Sequence, residues 1–149
     1  MKKGFIIIFV GVVLLTTIFT GCQENTGVTT KQSLEKNVFL ESSVVELAKS
    51  YLKFYTEYDY DKDVDVVVKV EVQYTFHNIA KRNITKLNVF VEFYDKNNNL
   101  LGLKQGPTIN NLFYDPEFDY VEHMPNTVTY ADANVAEVHH VKIIATEAS

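Results

Sequence analysis

Four aspartates alternate with other residues between positions 59 and 65, and this spacing raises the question of a cation site. Carboxylate oxygens are the ligands that Ca²⁺ prefers. An EF-hand loop beginning at Asp59 would need glycine in its sixth position and glutamate in its twelfth, where this sequence has Val64 and Val70. The pattern therefore fits either a looser hard-cation site or a solvated acidic loop. The weak metal candidates are Asp59, Asp61, Asp63 and Asp65.

The four histidines show no metal-binding pattern. Zinc needs several nitrogen or sulfur ligands that converge on one point. His139 and His140 are adjacent in a predicted strand, so we expect their side chains on opposite faces of it. His77 follows a predicted strand and His123 lies in a predicted loop. We therefore predict structural or surface histidines, with no bound metal and no cofactor.

The sequence lacks the motifs of the common catalytic classes. It has no Gly-x-Ser-x-Gly elbow, no phosphate-binding glycine loop and no His-Glu-x-x-His. We therefore expect a protein that is not an enzyme. Asn83-Ile84-Thr85 is a glycosylation sequon in a predicted loop, which makes Asn83 a candidate for modification if the organism glycosylates exported proteins.

The first 21 residues have the three-part pattern of a secretory signal peptide. Lys2 and Lys3 precede an uncharged, mostly apolar run from Gly4 to Phe19, and two small residues follow. The alternative is a retained membrane-spanning helix, although the run falls short of the roughly 20 apolar residues that a span needs. Two of the 14 basic residues and none of the 19 acidic ones lie in this segment, so the remainder has a net charge of −7. That charge argues against nucleic-acid binding, which requires a basic surface.

Cys22 is the only cysteine, so the chain cannot form an internal disulfide. The segment Phe19-Thr20-Gly21-Cys22 resembles the lipobox of prokaryotic lipoproteins. This resemblance implies that the Cys22 thiol is alkylated with diacylglycerol, that cleavage makes Cys22 the new N-terminus, and that the acyl chains hold it at the membrane. The alternative is an incidental cysteine in an ordinary signal peptide. Residues 22–33 are polar and typical of a flexible lipid-attached tether, which leaves residues 34–149 for the domain.

Alternation of apolar and polar residues predicts several strands in this domain. The longest run is 64–76, and a second run, 87–94, leads through the turn-forming residues 95–99 into a segment that pairs back as a hairpin. Two further strands are predicted at 126–130 and 135–146. Several short strands with turns between them predict an all-β fold, arranged as an antiparallel sandwich.

Residues 43–58 are ambiguous. The apolar spacing fits a helix, and Ser43 with Glu46 has the pattern of a capping box. The alternation and aromatic content after Ser50 favour a strand. We therefore predict a strand from about Ser50 and leave 43–49 open to a short helix.

The segment from Tyr74 to Gly102 resembles the FxLYD-type immunoglobulin-like domain of prokaryotic surface proteins. Its sequence is YTFHNIAKRNITKLNVFVEFYDKNNNLLG, and the positions that match in order are Asn78, Phe93, Tyr94, Asp95, Leu100 and Leu101. The resemblance implies an immunoglobulin-like β-sandwich. The signal peptide that precedes it is expected to be helical. It provides no catalytic residue to transfer.

The stretch 106–125 is predicted to be a long irregular loop with aromatic side chains among acids and prolines. Long loops on rigid sandwiches often carry binding residues, and aromatic side chains anchor contacts well. The alternative is that these aromatics cover an open side of the sandwich. The candidate contact residues are Phe113, Tyr114, Phe118 and Tyr120.

Together these features predict a lipoprotein anchored by lipid at the extracytoplasmic face of the cell membrane. We expect its domain to be a non-catalytic binding or interaction module of the cell envelope, with an envelope protein as its partner. The alternative function is an ion- or ligand-binding accessory subunit of an envelope complex or transporter.

Overall fold

Nine strands in two sheets make up the computed structural model, which describes residues 29–33, 37–117 and 125–148. The strands are β1 (Thr29–Ser33), β2 (Val38–Glu41), β3 (Val45–Asp59), β4 (Val64–Asn78), β5 (Ile84–Tyr94), β6 (Leu100–Gln105), β7 (Ile109–Leu112), β8 (Asn126–Tyr130) and β9 (His140–Glu147). The predicted all-β fold is confirmed. No helix in the described part of the chain has the length and apolarity needed to cross a bilayer.

The strands pair as two mainly antiparallel sheets that face each other. Sheet A has the order β1-β3-β4-β8, and sheet B has the order β2-β9-β5-β6. Strand β7 also pairs with β5, on its first half, whereas β6 pairs with its second half. The β2–β9 pair is parallel. The last two strands, β8 and β9, lie in different sheets, whereas a constant-type immunoglobulin domain keeps its last two strands in one sheet. The antiparallel sandwich is therefore confirmed, but the order of its strands differs from that of a constant-type immunoglobulin domain.

The core lies between the sheets and contains the residues that the alternating patterns selected. On β5, alternate side chains from Leu87 to Phe93 are fully buried. On β4, alternate side chains from Val70 to Phe76 face them. Complete burial of one such side chain is worth about 1.5–3 kcal/mol, so this shared face is the main source of stability.

A β-bulge at Ala48 explains why residues 43–49 fitted both a helix and a strand. Leu47 pairs with Phe76 and Lys49 with Thr75, so Ala48 is an extra residue on β3. Side chains that point into the core therefore have odd numbers before Ala48 and even numbers after it. In the sequence, this shift produces apolar spacing that resembles that of a helix. The short helix considered for 43–49 is wrong, because β3 begins at Val45.

A second bulge lies at Val68 on β4. Tyr55 pairs with Lys69 and Thr56 with Val67, which leaves Val68 as the extra residue. Val67 therefore packs against the core, while Val64 is 47% exposed. The single apolar face predicted for the whole of 64–76 exists only from Val70 onward.

Strand β1 occupies part of the segment that was assigned to the tether. Thr29 pairs with Thr56 and Ser33 with Leu52, so residues 29–33 extend sheet A beyond β3. The edge of β3 offers backbone donors and acceptors that need partners, and a neighbouring segment satisfies them by adding a strand. The predicted signal peptide, residues 1–21, and Cys22 lie outside the described residues.

The stretch predicted to be irregular, 106–125, contains a strand. Residues Ile109–Leu112 form β7 and pair with the first half of β5. Ile109 and Leu112 are buried, but Asn111 has a φ of 56°, which interrupts the alternation of side chains. The sequence therefore gives no period-two signal for this strand.

The final predicted strand, 135–146, begins later than expected. Val135–Glu137 forms a 3₁₀ helix, and β9 starts at His140. Val135 and Val138 are both buried, which fits a 3₁₀ turn because residues three apart lie on the same side of it. The predicted turn at 95–99 is confirmed, since the Asp95 carboxylate accepts backbone hydrogen bonds from Asn97 and Asn99 at 2.7 and 2.8 Å.

The long β3–β4 hairpin gives the molecule two distinct ends. We call the turn at 60–63 the hairpin end, and the loops 79–83 and 113–117 the loop end. Each hairpin strand has 15 residues, so the two ends are separated by roughly 45 Å at about 3.3 Å per residue.

Tyr130 is fully buried and connects the two sheets. Its ring stacks on Phe93 with centroids 4.6 Å apart, and its hydroxyl donates to the Leu101 carbonyl at 2.9 Å. Gly102 pairs with Phe93 and leaves room for this ring, because a Cβ at Gly102 would lie 2.5 Å from the ring carbon Cε2 of Tyr130.

We therefore expect Gly102→Ala to lower the free energy of unfolding by about 1–3 kcal/mol through overpacking. Chemical denaturation measures the loss. Leu103→Ala on the same strand is the control, because Leu103 is 54% exposed and its truncation should cost less than about 0.5 kcal/mol. Equal stability of Gly102→Ala and wild type would show that Tyr130 does not fix this contact.

Candidate functional site

The loop end carries two large apolar side chains that face solvent. Ile79, in the loop between β4 and β5, is 42% exposed, and Phe113, directly after β7, is 54% exposed. Tyr114 beside it is half-buried. The structure thus places the candidate contact residues Phe113 and Tyr114 at the same end of the fold as Ile79, while Phe118 and Tyr120 lie outside the described residues.

A buried side chain, Asn78, fixes both loops. Its Nδ2 donates to the carbonyl oxygens of Arg82, Leu112 and Phe113 at 2.9, 3.0 and 3.3 Å. Its Oδ1 accepts a hydrogen bond from the backbone N–H of Ala80 at 2.9 Å. Because a buried amide must find partners for its polar atoms, these bonds define the positions of both loops with respect to each other.

Two further hydrogen bonds hold the loops, one between the loops themselves and one to the segment that precedes β3. The Asn83 Oδ1 accepts the backbone N–H of Tyr114 at 2.8 Å, and the Ile79 N–H donates to the Val44 carbonyl at 3.0 Å. Asn83 is also the sequon residue, and it is exposed. A glycan on Asn83 would therefore stand directly beside the apolar pair.

Two pairs of polar side chains lie at the loop end. Arg82 donates to both carboxylate oxygens of Glu147 at 2.7 and 2.5 Å, and His77 lies 2.7 Å from Glu46. The hydrogen bonds from Arg82 lower the pKa of the Glu147 carboxyl. An apolar centre with a polar, charged rim is the usual composition of a protein–protein contact surface.

The four aspartates at the hairpin end do not gather into a cation site. Asp59 instead stabilises its own turn, accepting the backbone N–H groups of Asp61 and Lys62 at 3.1 and 3.3 Å. Lys62 also bonds the Asp59 carboxylate at 2.9 Å and lowers its pKa. Tyr58 donates to Asp63. Across the described ranges, no three His, Cys, Asp or Glu side chains lie close enough together to hold a metal.

The prediction that the His139 and His140 side chains point to opposite faces is wrong. Their Nδ1 atoms lie 3.3 Å apart. His139 precedes β9 and does not follow its alternation, so its ring is free to turn towards His140. The His140 ring stacks on Tyr94, with centroids 5.2 Å apart. Burial and the neighbouring His139 lower the pKa of His140. His123 lies outside the described residues.

Two more exposed apolar side chains, Leu100 and Leu103, lie on β6, away from the loop end. They are 55% and 54% exposed, which matches Phe113 closely. They belong to one strand and to neither of the loops that Asn78 joins. They therefore provide an internal control for the effect of exposed apolar area alone.

Sequence reasoning missed Ile79 and the structural role of Asn78. The sequence signal was a polar residue at the end of a long alternating strand, followed by an apolar residue in a loop. That signal does not reveal that Asn78 is buried, because its partners are carbonyls up to 35 positions away.

No protein-family model, curated protein or solved structure matches this chain. The chemistry of the site therefore rests on its own geometry.

We expect Asn78→Ala to lower the free energy of unfolding by about 2–4 kcal/mol, because three carbonyl oxygens lose this donor. Asn78→Asp keeps the volume but directs a carboxylate at those oxygens, so it should cost at least as much. Denaturant unfolding measures both, and Asn110→Ala, at an exposed position on β7, is the control. An Asn78→Asp variant as stable as wild type would show that the amide donor is not needed.

Proposed function

We propose that this protein is a lipoprotein anchored at the extracytoplasmic face of the cell membrane, and that its domain binds another envelope protein through the loop end. The observation that carries the proposal is the exposed pair Ile79 and Phe113, held on two loops that the buried Asn78 fixes. Preformed apolar anchors bind with little loss of conformational entropy.

The position of β1 supports this orientation. Thr29 pairs with Thr56, three residues before β3 ends, so the chain enters the fold at the hairpin end. Cys22 is seven residues before Thr29, a separation that spans at most about 25 Å. A lipid on Cys22 would therefore keep the hairpin end close to the membrane and direct the loop end away from it.

The form of the site favours a protein partner over a small ligand. Ile79 and Phe113 are 42% and 54% exposed, and neither lines a described pocket, whereas small molecules bind in concave pockets that bury most of their area. An exposed aromatic ring fits a pocket on a partner surface. The surrounding pairs, Arg82 with Glu147 and His77 with Glu46, offer polar contacts to the rim of such a pocket.

We expect Cys22→Ala to remove lipid labelling and to move the protein out of the membrane fraction, since no acyl chain would hold it. Metabolic labelling with radioactive palmitate, followed by membrane fractionation, measures both effects. A Cys22→Ala protein that stays in the membrane fraction would contradict lipid anchoring and would support an uncleaved apolar helix.

We expect the double variant Ile79→Ser/Phe113→Ser to reduce recovery of the partner at least tenfold after cross-linking and affinity purification from membranes. Both side chains would be buried against the partner in the complex. Their loss therefore removes about 1.4 kcal/mol or more of binding free energy, which corresponds to a tenfold change in affinity. Mass spectrometry with quantified partner peptides gives the readout.

The matched control is Leu100→Ser/Leu103→Ser, which removes a similar amount of exposed apolar surface from β6. It should recover the partner as wild type does. Equal recovery with both double variants, when both are folded and membrane-bound, would exclude the loop end as the contact surface.

A further inference from the structure

Large apolar side chains face solvent at and beside the hairpin end, and the proposed binding role uses none of them. Tyr60 is 87% exposed, more than any other large apolar side chain in the described part of the chain. Tyr58 and Val64 are 42% and 47% exposed. The rings of Tyr58 and Tyr60 contact each other edge to face, with centroids 4.9 Å apart. Exposed apolar side chains that occur together mark a contact with another molecule or with a membrane.

The chain that precedes the sandwich enters it at this same end. Strand β1 begins at Thr29, which pairs with Thr56, and β3 continues for three further residues to Asp59. The turn at 60–63 therefore stands about 10 Å beyond the point at which β1 begins. The connection from Cys22 to Thr29 spans at most about 25 Å, so a membrane attached at Cys22 lies within reach of Tyr60.

The charges at this end favour cationic headgroups over anionic ones. Positions 59 to 65 hold four aspartates and one lysine, Lys62, so their net charge is −3. Such a surface is repelled by anionic lipids and attracted by the ammonium group of a zwitterionic lipid. An ammonium group is also attracted to the face of a tyrosine ring. Tyrosine is one of the residues enriched where membranes meet water, because its ring is apolar and its hydroxyl is polar.

From this arrangement we propose that the hairpin end contacts the membrane surface, with the rings of Tyr58 and Tyr60 among the headgroups of zwitterionic phospholipids and the aspartates near their ammonium groups. The inference rests on the proposed membrane attachment and adds the point at which the domain itself touches the bilayer.

The hairpin end is already ordered for this contact. The Asp59 carboxylate accepts the backbone N–H groups of Asp61 and Lys62, and the Tyr58 hydroxyl donates to Asp63. A turn held in this way loses little conformational entropy when it meets a surface. Two attachment points, the anchor and the hairpin end, would restrict the tilt of the domain and keep the loop end directed away from the bilayer.

The chain has no tryptophan, so Tyr60→Trp introduces a single fluorescent probe at the hairpin end. The full-length protein is purified in detergent and reconstituted into phosphatidylcholine vesicles, some of which carry bromine on the acyl chains next to the headgroup. We expect the emission of Tyr60→Trp to shift to shorter wavelength and to be quenched by bromine, since an interfacial ring lies about 5–10 Å into the boundary between headgroups and acyl chains.

The matched control is Phe113→Trp, which places the single probe at a 54% exposed position of the loop end and should show neither effect. A probe at position 60 that is quenched no more than the probe at position 113 would overturn the membrane contact.

The charge argument is tested by replacing part of the phosphatidylcholine with anionic phosphatidylglycerol. Quenching of Tyr60→Trp should fall, and the fall should be smaller when Asp61→Asn and Asp65→Asn are added at two exposed positions. Asp59 and Asp63 are kept because they bond the turn and Tyr58. Equal quenching in the two lipid mixtures would overturn the contact with ammonium groups.

These outcomes can be separated from those of the proposed function. The position of the probe is read whether lipid on Cys22 or an uncleaved apolar helix holds the protein in the vesicles. Failure to associate with vesicles would contradict the membrane attachment and this contact with it, whereas associated protein with an unquenched probe would contradict the contact alone. Recovery of a protein partner through the loop end is measured independently of both.

Discussion

The buried amide of Asn78 is the interaction on which the loop end depends. Its three donated hydrogen bonds connect the loop after β4 to the end of β7, across up to 35 positions of sequence. Asn78 ends β4 of sheet A, and Leu112 ends β7 of sheet B, so the amide also joins the two sheets at this end. Without it, the loops that carry the exposed Ile79 and Phe113 would keep the hydrogen bond from Tyr114 to Asn83 but would lose the amide contacts. The added freedom of the loops would oppose any binding that used both side chains.

The two β-bulges determine which side chains of the long β3–β4 hairpin point into the core and which face solvent. Ala48 shifts the inward face of β3, and Val68 does the same for β4. Between them, the hairpin contributes Leu52, Val70 and Val72 to the core, while its far end extends beyond its neighbours β1 and β8. The same strands thus stabilise the sandwich and separate the chain entry point from the loop end.

Much of the fold could be predicted from the sequence because its signals are local. The alternation in β5 and the Asp95 turn depend on residues close in the chain, and both predictions are confirmed. The features that escaped prediction depend on distant partners. Strand β7 pairs with β5, and the positive φ of Asn111 removes its alternating pattern. The His139–His140 contact arises because β9 begins at His140 rather than at residue 135, so His139 lies outside the strand.

The candidate site shows the same division between local and distant signals. The sequence identified Phe113 and Tyr114 as aromatic residues in a long loop, but it gave no means of seeing that Ile79 lies at the same end. What joins them is a set of hydrogen bonds from a buried polar residue, and such bonds follow no sequence period. Anchoring at Cys22, by contrast, is inferred from the sequence alone. The position of β1 indicates only at which end of the domain such an anchor would attach.

The most direct test is site-specific photo-cross-linking in living cells, with a benzophenone amino acid replacing Phe113 in one strain and Leu103 in another. Both positions are about equally exposed, at 54%, so random encounters should label them alike. We expect irradiation to produce one discrete adduct with an envelope protein from position 113 and none from position 103. The same adduct from both positions, or no adduct from position 113, would contradict a contact surface at the loop end.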